Sequence, residues 1–266
     1  MLVIKIGGSV FGEIEKLAGD AMGFAGSGLI IVHGGAAETT RIAEKMGKQQ
    51  RFITSASGFR SRYTDRETME IFEMVVAGKI NKEIVAALRK KGIDALGLCG
   101  ADGGLLRATK KIMKAVDEGG KEKIIRDDYT GKIESVNTEL LRVLINNGYV
   151  PVVAPIALSS EFELLNTDGD RAAAMIARSV GAEKLIMLTD VDGYCANFPN
   201  DLLREIRAGD LPAHIQKATG GMKRKLLAAK EAVEGGVREA VIANGKKEKP
   251  ITNALAGEGT VVRMML

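Results

Sequence analysis

The 266-residue sequence predicts a doubly wound α/β sandwich built around a mainly parallel sheet. Two observations predict it. Short apolar runs alternate with longer stretches of helical periodicity, the order expected of βα units rather than of separate sheets and bundles. The runs are also hydrophobic at consecutive positions, not at every second one, as strands covered on both faces must be.

The strand candidates are residues 2–6, 29–32, 93–98, 150–156, 184–188 and 240–243. The first begins at once, with no charged segment and longer apolar stretch ahead of it, so no secretory leader is expected. The longest helical pattern follows Thr64-Asp65, where Met69, Phe72, Val76, Ile80, Ile84 and Leu88 recur at helical spacing, broken locally by Gly78. Asp65 and Glu67 suit its positive N-terminus, Arg89, Lys90 and Lys91 its negative C-terminus, and Gly92 a stop. The core or a second copy of the chain could take up so apolar a helix, and both readings stay open. Between Leu105 and Lys132 the texture changes. Glu118-Gly119-Gly120 and Lys123-Ile124-Ile125-Arg126 predict a solvent-side hairpin, a small antiparallel addition to the sheet. With five prolines and no linker tract, the chain is expected to be one domain, residues 1–266. A soft division separates an N-terminal lobe of about 1–155 from a C-terminal lobe of about 156–266.

Composition bounds the function. Hydrophobic residues make up 45% and charged residues 27%, ordinary for a soluble globular chain. Aromatic content is 4% with no Trp, which argues against a base-stacking surface, and the net charge of +4 is spread without a basic tail. No nucleic acid partner is indicated. Nor is a membrane, since no apolar run approaches the ~20 residues needed to span one. Cys99 and Cys195 stand far apart in no CxxC arrangement, as idle thiols of a reducing compartment, so a cytoplasmic location is expected. His33 and His214 are the two histidines, too few for a histidine-rich metal site.

Five clusters could carry chemistry. Lys5-Ile6-Gly7-Gly8-Ser9 ends the first strand and His33-Gly34-Gly35-Ala36 the second, at the strand ends where open parallel sheets bind ligands. Glycines there let backbone N–H groups approach phosphate oxygens; as a plainer reading they are tight strand-to-helix turns. Two such pairs at equivalent places, one with a lysine, favour phosphate. Asn166-Thr167-Asp168-Gly169-Asp170 opens a helical run, as an N-cap with surplus acidity or as a carboxylate that positions lysines or a metal. Thr219-Gly220-Gly221-Met222-Lys223-Arg224-Lys225 reads as a solvated basic helix face or as a phosphate site. The fifth, Gly58-Phe59-Arg60-Ser61-Arg62-Tyr63-Thr64-Asp65, offers arginines for bidentate recognition of a carboxylate. GxxxxGK[ST] and a strand-linked GxGxxG are both missing, which disfavours P-loop and Rossmann chemistry.

Taken in order, with Thr189-Asp190-Val191-Asp192-Gly193, these clusters resemble the amino-acid-kinase family over nearly the whole chain, in its N-acetylglutamate kinase branch. The segments Ser61-Arg62-Tyr63-Thr64-Asp65-Arg66-Glu67-Thr68 and Tyr129-Thr130-Gly131 resemble more closely the kinases whose substrate is attached to LysW, a small acidic amino-group carrier protein. Ala36 departs from the pattern, where many relatives have a third glycine. The resemblance implies an α/β/α sandwich with an open sheet, ATP and Mg2+ as cofactors, and a homodimer. The implied reaction is transfer of the γ-phosphoryl group to the side-chain carboxylate of carrier-linked 2-aminoadipate, with glutamate as a second candidate acceptor. The product is an acyl phosphate in lysine biosynthesis, or in arginine biosynthesis if glutamate is used. Carried over by motif, Lys5 and Lys225 hold the phosphoryl oxygens and Asp170 orients them. Gly35, Ala36, Arg62 and Asn166 bind the substrate, and Arg60, Arg66, Arg107, Lys110, Lys111 and Lys114 are cations that could flank its mouth and steer an acidic carrier, or else serve only as a solubilising surface. Gly7, Gly8, Gly34, Thr189, Asp190, Gly193 and Gly221 border the nucleotide and its phosphates, and no protein metal ligand is implied. The rival readings are an N-acetylglutamate kinase and a non-catalytic effector-binding member of the fold.

Overall fold

The computed structural model describes residues 1–54, 60–116, 122–197 and 199–264. Its main sheet has eight strands, numbered here in chain order: β1 (Leu2–Ile6), β2 (Leu29–His33), β3 (Ala95–Leu98), β4 (Val150–Val153), β5 (Lys184–Thr189), β6 (Glu205–Arg207), β7 (Glu239–Asn244) and β8 (Thr260–Arg263). Their spatial order is β6-β8-β7-β5-β1-β2-β4-β3. The run from β7 to β3 is parallel throughout, whereas β8 is antiparallel to β7 and carries β6 parallel to itself.

Alternation along each buried strand sends side chains to two layers. Val3, Ile30, Val32, Leu185 and Met187 face a core shared with helices α6 (Gly169–Val180) and α8 (Gly220–Glu234). Leu2, Ile4, Ile6, Ile31 and Ile186 face the opposite core, with α1 (Ile14–Ala21), α4 (Asn81–Lys90) and α9 (Pro250–Leu255). The remaining helices are α2 (Ala36–Lys45), α3 (Arg66–Glu73), α5 (Thr138–Asn146) and α7 (Leu211–Lys217).

The expected long helix is present, but α3 passes into α4 through a π-helical turn, Met74–Ile80, that contains Gly78. Asp65 caps it, accepting from the Thr68 backbone N–H at 2.8 Å. Its apolar positions divide between two cores: Ile71, Val75, Ile80, Ile84 and Leu88 join the layer of α1, while Met69, Phe72 and Val76 meet Ala154 and Ile156.

Three differences from expectation have simple causes. The 150–156 run is not one strand. It leaves the main sheet at Ala154-Pro155, and Ile156–Leu158 joins a second, four-stranded sheet with Leu164–Asn166, Leu106–Lys110 and Gly131–Val136. Strands β6 and β8, of three and four residues, lie at one end of the sheet, β6 on its edge and β8 beside it, and are too short to carry a legible apolar run. The hairpin exists as Met113–Val116 paired antiparallel with Glu122–Ile125, yet it forms its own two-stranded sheet rather than extending the main one. Its proposed turn, Glu118-Gly119-Gly120, lies outside the described residues, as do Gly58 and Phe59 of the arginine segment.

Candidate active site

Lys5 shares the face of Val3 by alternation, so it points into the layer of α6 and α8 from the carboxyl end of β1. In that layer it meets Asp170. Asp168 caps α6 by accepting from the backbone N–H groups of Asp170 and Arg171, each at 3.0 Å. Capping therefore falls to one carboxylate and leaves the other free for the lysines. Lys5 Nζ lies 2.7 Å from Asp170 Oδ1, and Lys225 Nζ of α8 lies 3.3 Å from Oδ2. All three side chains are buried, at 5–8% exposure, so Lys225 is no part of a solvated face. Burial by itself pushes the Asp170 carboxyl upward, but the two ammonium groups outweigh it and hold the pKa below its ordinary value. Gly169 lets the helix start close over the lysine, since a Cβ there would lie 3.4 Å from Lys5 Cε and 3.2 Å from His33 O.

The two early glycine turns meet above this clamp. A Cβ on Gly34 would stand 3.5 Å from Gly8 N and 3.7 Å from Lys5 Nζ. The Gly7 N–H donates to Leu188 O at 3.0 Å and the Gly34 N–H to Ile6 O at 2.9 Å, so these two amides shape the turns. Gly35 is required by packing, because a Cβ would come within 2.6 Å of Val76 Cγ2 and 2.9 Å of Ile80 Cδ1 on the π-helical turn. Beneath it His33 is wholly buried, with Nδ1 bonded to Gly34 O at 2.9 Å and Nε2 to Asn81 Nδ2 at 3.1 Å. Burial lowers its pKa to about 4, so the ring is neutral at physiological pH, its Nδ1–H donating and Nε2 accepting.

Two cavities adjoin at the clamp. The larger, about 670 Å³, is lined on one side by Gly8, Gly34, Gly35 and Ala36 and on the other by Arg62 and Asn166, with Lys5, Asp170 and Lys225 in its wall. The smaller, about 380 Å³, is lined by Thr189, Asp190, Gly193 and Met222, and shares Gly221 and Lys225 with the first. Among the described residues lining the larger cavity, Lys5, Arg62, Lys111, Arg171, Arg224 and Lys225 face two acids, Asp168 and Asp170, a wall suited to polyanions. The profile of the amino acid kinase family matches residues 1–244. The chain belongs to the amino acid kinase family.

A member from Thermus thermophilus, a [LysW]-aminoadipate kinase, is 47% identical over 99% of this chain and 100% of its own length. An acetylglutamate kinase from Methanopyrus kandleri is 43% identical over 99% of this chain and 100% of its own. Among solved structures, N-acetylglutamate synthase from Neisseria gonorrhoeae, complexed with coenzyme A and N-acetyl-glutamate, superposes with a TM-score of 0.82 at 26% identity, covering all of this chain and 59% of that one.

In this amino acid kinase Arg62 is held by the protein's own groups. Its guanidinium donates to Ala36 O at 2.7 Å, to Thr40 Oγ1 at 2.8 Å and to Gln50 Oε1, and its plane lies over Phe52. Burial pushes its pKa below the ordinary arginine value. Asn166 Nδ2 donates to Thr64 Oγ1 at 3.0 Å, while buried Asp128 accepts from the Thr64 N–H at 3.2 Å and from Thr130 Oγ1 at 2.7 Å. The segment carrying Arg62 is thereby tied to the strand carrying Asn166. Gly193 reaches a φ of +155°, and a Cβ there would strike Thr260 Oγ1 at 2.5 Å. Among the described residues no group of three or more His, Cys, Asp or Glu is placed to hold a metal. Nor is any helix long and apolar enough to cross a membrane.

Lys111, Arg171 and Arg224 also line the main cavity. Arg224 lies in the basic helix start and Lys111 among the cations expected at the substrate mouth, whereas Arg171 is not singled out in the sequence, though it adjoins Asp170.

Proposed function

We propose that this chain transfers the γ-phosphoryl group of ATP to the side-chain carboxylate of 2-aminoadipate, with glutamate as a second acceptor, while the amino acid is attached through its α-amino group to an acidic carrier protein. The observation that carries the reading is the buried Lys5–Asp170–Lys225 clamp at the junction of two cavities. The smaller cavity is walled entirely by residues beyond 188, which supports a nucleotide lobe in the C-terminal part and a substrate lobe in the N-terminal part. Phosphoryl transfer needs positioning and charge neutralisation more than covalent help from the protein. Lys5 and Lys225 stabilise charge spreading over the transferred oxygens, and Asp170 keeps the two ammonium groups close in spite of their repulsion. The Gly8 N–H lies beside them. Mg2+, when bound, neutralises phosphate charge and is held chiefly by phosphate and water. An acylated α-amino group is a chemical safeguard, because a free amine could attack the activated side chain and cyclise it.

An acetyl group and a carrier would both supply that safeguard, and relatives of both kinds stand at 47% and 43% identity. The positive surplus of the cavity favours the acidic carrier. Of the cations expected around its mouth, Arg66 is exposed beside Glu70 at 3.4 Å, Arg107 lies over Phe162, and Lys110 lies 3.8 Å over Tyr129. Lys111 turns into the cavity, and the side chains of Arg60 and Lys114 lie outside the described structure. Exposed charges are screened beyond about 8 Å at physiological salt and steer association more than they fix affinity. Raising salt is therefore expected to lower kcat/KM for carrier-linked aminoadipate while kcat changes little. N-acetylglutamate should respond less and be a far poorer substrate. Parallel ADP-release assays on carrier-linked aminoadipate, carrier-linked glutamate and N-acetylglutamate test this. Equal efficiency and equal salt response on N-acetylglutamate would select the acetylglutamate kinase reading, and no turnover on any of the three the non-catalytic one.

A second expectation concerns Arg62. Lysine cannot reproduce a planar fork, so Arg62→Lys should raise KM for the amino-acid substrate at least tenfold, with KM for ATP nearly unmoved. Steady-state kinetics with each substrate varied in turn would show it, and an unchanged amino-acid KM would remove Arg62 from the binding role.

A further inference from the structure

His33 is wholly buried beneath the second glycine turn and lines neither cavity at the clamp. A chain of hydrogen bonds nevertheless fixes its state. Lys82 Nζ donates to Asn81 Oδ1 at 3.0 Å, and Asn81 Nδ2 donates to Val152 O at 2.9 Å, so the orientation of the Asn81 amide is set from both ends. Its second N–H then meets His33 Nε2 at 3.1 Å, which must accept, and the ring proton is left on Nδ1 for Gly34 O at 2.9 Å. Gly97 leaves room for this arrangement, since a Cβ there would strike Asn81 Oδ1 and Lys82 Nζ. Asn81 follows directly on the π-helical turn Met74–Ile80, whose Val76 and Ile80 abut Gly35. One element thus grips the glycine turn by packing and by hydrogen bonding.

A trans peptide, the rule for a residue other than proline, points its C=O and N–H in opposite directions. Holding Gly34 O on the imidazole therefore turns the Gly35 N–H away from the ring. That N–H has no acceptor among the described residues, although Gly35 is buried. Gly34 and Gly35 both line the larger cavity, and Gly34 adjoins Gly8 N and Lys5 Nζ there. We infer that His33, oriented by Asn81, is a positioning residue that aims the Gly35 N–H into the cavity at the reacting oxygens. The inference rests on the phosphoryl-transfer reading above and adds what holds one of its donors in place. A donor fixed in advance needs no reorganisation when charge develops during transfer. Burial keeps the ring neutral, and a neutral ring keeps Nε2 an acceptor for Asn81.

Two substitutions separate positioning from packing. The amide of Asn can place an N–H where Nδ1 stands, whereas that of Gln reaches to Nε2 and is nearer to His in volume. His33→Gln should lower kcat at least about tenfold, and His33→Asn should keep kcat within about threefold of wild type. KM for ATP and for the acceptor should stay within about twofold in both. A side chain that only fills space would give the opposite rank, Gln above Asn. The acceptor is whichever of carrier-linked aminoadipate, carrier-linked glutamate and N-acetylglutamate the wild type turns over. Wild type itself supplies a second readout that needs no folded His33 variant. Long-range proton–nitrogen correlation should show one of the two histidine rings as Nδ1–H with Nε2 bare, unchanged between about pH 6 and pH 8, and retained in His214→Gln. An undiminished kcat in His33→Gln, an equal loss in both variants, the opposite rank, or an Nε2–H or imidazolium form of His33 would overturn the inference. Wild type inert with all three acceptors would overturn the functional reading instead, and the tautomer would still decide where the Gly35 N–H points.

Discussion

Lys5→Ala is expected to lower kcat by roughly 10²–10³-fold, the loss typical when one preorganised charge-stabilising donor is removed from a reacting centre. The side chain is buried, approaches Asp170 Oδ1 at 2.7 Å, and lies beneath the meeting point of the Gly8 and Gly34 turns. Because its charge acts on oxygens that gain charge during transfer, KM for ATP should move much less than kcat. A variant with near wild-type kcat, measured by ADP release at saturating substrates, would sink the assignment.

Asp170→Asn should have the second large effect, and it should appear in stability as well as rate. The amide leaves Lys5 and Lys225 buried side by side with no anion, and breaking a buried charge pair in this way typically costs about 3–5 kcal/mol. Denaturant unfolding with and without Mg-ATP would measure it. The nucleotide's phosphates can replace the missing anion, so ATP should stabilise the variant more than it stabilises wild type. The pH dependence has a definite sign. The folded carboxyl sits below the ordinary 3.8 and so binds its proton less readily than the unfolded one. Its contribution is complete above about pH 3.8 and is lost as pH falls through the lower folded value. The gap between wild type and Asp170→Asn should therefore narrow on acidification. Equal stability of the two proteins at neutral pH would mean that the carboxylate does not hold the lysines together.

Strand and helix identity were written plainly in the sequence, because a strand covered on both faces must be apolar at successive positions and a half-buried helix must repeat at its own period. Strands β1, β2, β5 and β7 follow from their composition, and the helix after Asp65 from Met69, Phe72, Ile84 and Leu88. The end strands β6 and β8 were silent because three or four residues carry no legible pattern, and Pro155 broke a continuous apolar run that composition alone could not divide. Motif order also carried the family, since the glycine pairs, the Asp168–Asp170 segment and the basic helix start are each local patterns.

Tertiary structure decided what each local pattern is for. Apart from the family motif, the sequence leaves Asp168 and Asp170 as equals, and the fold made one a helix cap and the other the partner of two lysines that are 165 and 55 residues away. It placed four adjacent glycine positions at two turns but gave their amides different fates, since the Gly7 and Gly34 N–H groups pair with neighbouring strands. Lys110 and Lys111 are adjacent in sequence, yet one lies over Tyr129 near the surface and the other lines the cavity. The reason is physical: burial and the choice of partner for a charged group depend on which distant segments pack against it, and no window of neighbouring residues contains that information.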